Sequence, residues 1–250
     1  MPSAKNNMPL LETKNLTKQF AGVRAVDDLS ISIEKGKLTS IIGPNGSGKT
    51  TRINVLSGLH AISSGMVVVS DLKLNKIEAY DVMTYGITRT FQDVRLFEQM
   101  HVLDNILVAL TERDVFPSII ERHGKYHLEK AEEVLKRVGL WEKKHELAKN
   151  LSYGQRKLLE IARVLAMNTE IIFFDEPFAG LFPEMVKTVV GIMKELREQG
   201  KTIILVEHNM DLIRGLSDHL IVMDSGQLLA QGKPSEVLSR RVVVEAYLGE

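Results

Sequence analysis

Polar and apolar positions alternate early in the chain. Leu29, Ile31 and Ile33 alternate with Ser30, Ser32 and Glu34, so the first forty residues read as short strands; Lys35-Gly36 supplies a turn before Leu38-Thr39-Ser40-Ile41-Ile42. That spacing predicts a hairpin-like antiparallel piece. Past Ile42 the pattern changes to a Gly-rich loop and a helical stretch from Lys49 to Ser57 closed by Gly58, and Met66 to Val69 reads as a further strand. Between Asp93 and Asn150 the period is helical: Leu103, Ile106, Leu107 and Leu110 fall on one face, as do Ala131, Val134, Leu135 and Val138, with Gly139 placed to end that helix. The later half alternates again. A helix through Leu158, Leu159, Ala162 and Leu165 precedes a buried strand Ile171–Phe174; a helix from Pro183 to Gln199 precedes a second strand, Ile203–Val206; and Leu220–Met223 with Gln227–Ala230 form a closing hairpin over Asp224-Ser225-Gly226. Helices alternating with buried strands imply an α/β fold with a mainly parallel sheet.

Composition removes several classes of function and selects none. The chain has 250 residues, 32 basic and 32 acidic, so it has no bulk attraction for nucleic acid or anionic membrane. It has no cysteine, hence no disulfide framework, thiolate nucleophile or Cys-ligated metal, which fits a reducing compartment. The opening Met1-Pro2-Ser3-Ala4-Lys5-Asn6-Asn7 reads as a frayed tail and not as a secretory signal, because no apolar stretch follows its lysine. The longest apolar runs fall far short of the roughly 18 residues of a membrane span.

Chemistry enters at Gly43-Pro44-Asn45-Gly46-Ser47-Gly48-Lys49-Thr50, a G-x-x-x-x-G-K-[ST] string between a predicted strand and a predicted helix. Such a loop turns backbone N–H groups toward phosphates, adds the positive end of a helix, and places the Lys49 ammonium near the terminal phosphates; Thr50 offers a hydroxyl for Mg²⁺. The strand Ile171–Phe174 ends in Asp175-Glu176-Pro177. Carboxylates at that edge of a parallel sheet lie where ligands bind, so Asp175 is expected to hold magnesium through water and Glu176 to face the γ-phosphate and either polarise the attacking water or accept a proton from it. Leu151-Ser152-Tyr153-Gly154-Gln155 opens a helix, and Ser152 with Gln155 has the spacing of a capping box.

Taken in order, these strings, with Gln92 beside the helical segment and His208 after Ile203–Val206, resemble the ATP-binding cassette family over nearly the whole chain. The resemblance implies a P-loop NTPase core with an N-terminal antiparallel β subdomain (1–92 and 156–250) and an inserted helical subdomain carrying the signature (93–155). It implies that nucleotide is bound by Phe20, stacked on adenine, and by Gly43 to Thr51, Thr51 included. Gln92 reaches magnesium and the catalytic water, and His208 contacts the γ-phosphate. Ser152, Gly154 and Gln155 serve the nucleotide of a second cassette, identical or related, in a head-to-tail sandwich. ATP binding closes that sandwich, and loss of the γ-phosphate favours its opening.

Two positions depart from the family pattern: Tyr153 replaces the first glycine of the signature pair, and Phe182 replaces a polar residue that accepts a hydrogen bond across the dimer. The stretch from Tyr85 to Phe97 and the ending Ala246-Tyr247-Leu248-Gly249-Glu250 look like the ATPases of branched-chain amino acid importers; the ATPase of lipopolysaccharide export shares the ending and the Tyr-bearing signature. The resemblance implies a place at the cytoplasmic face of a membrane, beside integral permease subunits, with a solute-binding protein as an indirect partner and no direct nucleic-acid contact. The Phe91–Phe97 region would form a groove for a short permease helix. A soluble cassette for DNA repair or translation would bring a long coiled coil or a second cassette, and a plain P-loop kinase leaves the Leu151–Gln155 string unexplained.

Overall fold

The computed structural model describes residues 9–110 and 120–248. They fall into two compact units: the first holds residues up to 89, 170–176 and 194 onward, and the second holds 90–169 and 177–193.

The first unit is built on two sheets. In the smaller, β1 (Pro9–Phe20) and β2 (Val23–Glu34) form one long antiparallel hairpin, and β4 (Ser64–Val69) and β5 (Leu72–Leu74) extend it on the β1 side. Its turn at Ala21-Gly22 has positive φ at both residues, the geometry that matches strand twist in a two-residue loop. The second sheet has the order β10–β9–β3–β8–β7–β6, from β3 (Leu38–Ile42), β6 (Ile87–Arg89), β7 (Ile171–Asp175), β8 (Thr202–Val206), β9 (His219–Asp224) and β10 (Gln227–Gly232). All its neighbours pair in parallel except β9 with β10.

The antiparallel piece therefore exists, but it joins β1 to β2. No hairpin links β2 to β3 across Lys35-Gly36, because the two strands belong to different sheets. The burial pattern gives the reason: every residue of β3 is buried, whereas β2 alternates between buried and exposed positions from Leu29 onward. A strand apolar on both faces is stable only inside a parallel sheet covered on both sides.

Both covers are present. Ile41, Phe173, Ile204, Val206, Ile221 and Met223 form one core with the inner face of the small sheet and with Ile53, Val55 and Leu56 of α1 (Lys49–Leu56). On the opposite face Ile42, Leu220 and Val222 pack with Ile213 of α6 (Met210–Leu216), Val237 of α7 (Pro234–Val237) and Val243 of α8 (Arg241–Leu248).

The second unit is helical, as the 3.6-residue spacing requires. Helices α2 (Val102–Leu110), α3 (Ile120–Arg137) and α4 (Tyr153–Met167) pack on one another. Helix α5 (Pro183–Glu198) gives its residues up to 193 to this unit and the rest to the first.

Candidate functional site

Parallel strands all end on the same edge, and in the first unit that edge gathers the polar residues. Strand β3 runs into the loop 43–48 and then directly into α1. Gly48 occupies the N-cap with φ 90°, and a Cβ there would collide with the Ala25 carbonyl oxygen, so only glycine admits this approach of loop to β2. The loop closes with Ser47 N–H donating to the Pro44 carbonyl (3.2 Å), and Gly226 N–H, from the β9–β10 turn, donates to the Ser47 carbonyl (3.2 Å). The Lys49 ammonium folds back over this cradle and donates to the carbonyls of Gly43 (2.7 Å) and Pro44 (2.9 Å). Burial lowers its pKa and Arg52 adds to the depression, while Glu176 and Asp175 oppose it. A buried cation ringed by carbonyls, with N–H groups at a helix start, is the donor set that an anionic phosphate chain needs.

Strand β7 delivers Asp175 and Glu176 to the same edge. Asp175 is fully buried, and its Oδ2 accepts from Arg89 Nη2 at 3.0 Å. The same guanidinium donates through Nη1 to Asn54 Oδ1 (2.7 Å) and Ser57 Oγ (2.8 Å), tying α1 to the end of β6 and the end of β7. Arg89 carries no functional motif of its own. Its one signal is a cation closing an apolar strand, and its partners lie 32 to 86 residues away, beyond any local pattern.

Glu176 has φ 48°, a left-handed backbone that a non-glycine residue adopts at a cost of about 1–3 kcal/mol unless its surroundings enforce it. Here its N–H donates to the Val206 carbonyl at 3.0 Å, extending the β7–β8 ladder by one bond. The turn swings the carboxylate toward His208, whose Nε2 lies 3.2 Å from Glu176 Oε1. His208 is held in turn: Glu207 Oε2 accepts from the backbone N–H groups of His208 (2.8 Å) and Asn209 (3.1 Å), and Asn209 caps α6. Thus the two residues assigned to the γ-phosphate face each other across the ends of neighbouring strands. Phe20 closes β1 and is 40% exposed; its ring is perpendicular to that of His60, with centres 5.1 Å apart, and the Lys18 ammonium lies over it at 4.7 Å.

The other predicted residues lie in the second unit. Gln92 is exposed in the irregular segment after β6. Ser152 caps α4 with both bonds of the capping box formed: its Oγ accepts from Gln155 N–H (3.3 Å) and its own N–H donates to Gln155 Oε1 (3.0 Å). Gly154 is buried, and a Cβ there would strike the Met185 sulfur. Tyr153, 45% exposed, lies against Gly180, and Phe182 is 68% exposed. Among the described residues no cluster of three or more His, Asp or Glu side chains could by itself hold a metal, and no helix is long and apolar enough to cross a membrane.

Comparison with known proteins agrees with this geometry. The ABC transporter family profile matches residues 26–179. Over 98% of its length the chain is 37% identical to the high-affinity branched-chain amino acid transport ATP-binding protein LivG of Salmonella typhimurium, covering 99% of that protein. It is 38% identical to the probable LivG of Archaeoglobus fulgidus, covering 97% and 96% of the two chains. A nucleotide-free ATP-binding cassette from an ABC transporter superimposes with a TM-score of 0.84 at 37% identity, over 97% of this chain and all of that one; a cassette in its ADP conformation gives 0.83 at the same identity and coverage. A phosphate loop, paired acids and a facing histidine on one sheet edge, in a chain alignable almost end to end with transport ATPases, make this protein a member of the ABC transporter family.

Proposed function

We propose that the chain is the ATP-hydrolysing motor subunit of an importer for branched-chain or other hydrophobic amino acids. The observation that carries this is the delivery of Lys49, Asp175, Glu176 and His208 to one edge by β3, β7 and β8, in a chain aligned over 98% of its length with LivG. The relatives named above are amino acid transport subunits, which favours import over lipopolysaccharide export.

On this reading ATP lies over the loop 43–48 with its adenine on Phe20. Lys49 exchanges the Gly43 and Pro44 carbonyls for β- and γ-phosphate oxygens, a gain because carbonyl dipoles are weaker partners than anions. Thr50, Asp175 and Gln92 would hold Mg²⁺, which supplies charge neutralisation at the phosphates. The carboxylate and hydroxyl present suit such a hard cation, and the short protein ligand set leaves room for water and phosphate oxygens. Glu176 orients a water and accepts its proton as the water oxygen bonds to the γ-phosphorus and the bond to the β-phosphate oxygen breaks, giving ADP and phosphate. His208 fixes the Glu176 carboxylate and meets the γ-phosphate.

The capped start of α4 offers its N-terminal N–H groups to the nucleotide of a second cassette. One solved relative, 27% identical with a TM-score of 0.79, is a dimer in a post-hydrolysis state with ADP and phosphate. The motor sits at the cytoplasmic face of the membrane against permease subunits, which with their solute-binding protein select the cargo.

Glu176→Gln tests the reading. ATP affinity should stay within about threefold while hydrolysis falls by about 10²–10⁴, and size-exclusion chromatography at saturating ATP should show a dimer. A monomer under those conditions would overturn the shared site.

A further inference from the structure

The second unit contains a buried carboxylate that the mechanism above does not use. Glu160 lies on α4, two turns past the signature, and is 4% exposed. Its Oε1 accepts from the backbone N–H groups of Phe91 (3.1 Å) and Arg95 (3.5 Å). From the next turn of the same helix, Arg163 Nη1 donates to the Arg95 carbonyl, and its guanidinium lies 5.3 Å from the Phe97 ring centre. Asn105 of α2, fully buried, completes the hold: its Oδ1 accepts from Phe97 N–H (3.0 Å) and its Nδ2 donates to the Phe97 carbonyl (3.1 Å). A segment with no helix or strand of its own thus has its backbone groups met by three side chains, and Gln92 sits between two of the pinned residues.

Burial pushes the Glu160 carboxyl up to about 7, against the opposing pull of the Phe91 and Arg95 N–H groups and then of Lys157 and Arg163. An acid held at that expense is no aid to packing; an apolar residue of similar volume would cover the helix interface with less desolvation. What the apolar residue could not do is accept two N–H groups of an irregular loop. The need met by Glu160 is therefore the shape of the loop.

We propose that Glu160 is a positioning residue for Gln92: it fixes the 91–97 loop to α4, so that Gln92 and Ser152 keep one mutual geometry and move as a single body. This rests on the reading that Gln92 serves hydrolysis. Coupling of this kind needs a rigid element that both sites share, and α4, through Glu160 and Arg163, supplies one. Closing the signature onto a partner's nucleotide then carries Gln92 with it.

The test is a double-mutant cycle on the full-length chain, with hydrolysis, ATP affinity and melting temperature measured for each variant. Glu160→Ala should lower kcat about tenfold, since a displacement of the order of 1 Å can cost up to 10²-fold, and leave ATP affinity unchanged. Glu160→Gln keeps the accepting oxygen and should stay within about threefold of the wild type. In a Gln92→Ala background, Glu160→Ala should cause no additional loss of kcat, the signature of two residues acting as one unit. Losses that multiply in the double variant, or a silent Glu160→Ala beside a damaging Gln92→Ala, would overturn the clamp alone. A silent Gln92→Ala would remove the role of Gln92 and the clamp with it. Should Glu160→Ala fail to fold, Glu160→Gln decides: a tenfold loss of kcat with the acceptor oxygen retained contradicts the proposal.

Discussion

Two loops begin at the same edge of the six-stranded sheet, one after β3 and one after β6, and they are held in opposite ways. The phosphate loop closes on itself: Lys49 reaches back to Gly43 and Pro44, six and five residues away, and Ser47 bonds to Pro44. The loop bearing Gln92 is held by Glu160 and Arg163, 65 to 69 residues away. The first is drawn together chiefly within its own eight residues, with one bond from outside, Gly226 N–H to the Ser47 carbonyl. The second has no local shape and takes one from α4. A binding site can be written into a short string, whereas a coupling element has to be anchored to whatever it couples.

The difference is broken most sharply at Lys49, because in the first loop one side chain supplies both the closure and the chemistry. Lys49→Ala removes a charge-assisted partner of the phosphates, worth about 1.5–3 kcal/mol for a hydrogen bond to a charged group, so ATP should bind roughly tenfold to a hundredfold more weakly by equilibrium titration. Melting temperature without nucleotide should also fall, since the buried Gly43 carbonyl loses the Lys49 ammonium that donates to it. Unchanged affinity would mean that the loop binds by its backbone alone.

This contrast also explains what could be read from the chain. The phosphate loop, the acids after β7 and the capping box at Ser152 and Gln155 were legible because each is a contiguous string whose chemistry depends on neighbours a few residues away. The parallel sheet was legible because strands such as Ile171–Phe174 and Ile203–Val206 are apolar on both faces. What escaped were pairings across the sequence. The Lys35-Gly36 turn was expected to fold β2 onto β3; a turn signal says that the chain bends and not which sheet receives it. Arg89 was silent because Asp175 lies 86 residues away, and Glu160 was silent because Phe91 and Arg95 lie 69 and 65 residues away. The left-handed backbone of Glu176, which aims it at His208, has no sequence signature at all.

A smaller effect sharpens the comparison from the side of α1. Arg52 follows Lys49 by one helical turn and is fully buried, yet none of its three nitrogens has a hydrogen-bond partner among the described residues. Burial holds its pKa down to about 9, well below the usual guanidinium range. A base depressed on folding costs stability below its folded pKa, and the cost is relieved as pH rises above about 9 toward the value of the unfolded chain. Arg52→Leu should therefore stabilise the protein by about 2 kcal/mol at pH 7, the order seen when buried charge gives way to a packed apolar residue. Urea unfolding should show the gain undiminished down to pH 6 and reduced at pH 10. A destabilised Arg52→Leu would show that the guanidinium has a stabilising partner after all.

The smallest effect concerns the second loop's own unit, at the exposed Phe182. Tyr153 packs on Gly180 two residues before it, so the signature helix and this loop are in contact within one chain, and the large aromatic stands 68% exposed beyond them. In a sandwich of two cassettes a polar residue there could accept a hydrogen bond from the partner; Phe182 offers only apolar surface. If communication between sites depends on that bond, Phe182→Asn should raise the Hill coefficient of hydrolysis while leaving the melting temperature of the isolated chain unaltered, because the side chain is 68% exposed. The expected change is modest, about 1 kcal/mol or less, the worth of one neutral hydrogen bond. An unaltered Hill coefficient would place communication in rigid bodies such as the clamped 91–97 loop and not in this contact. On the roles proposed for Gln92 and Ser152, the clamp would then carry the signal, since it ties the loop of the first to the helix that begins at the second.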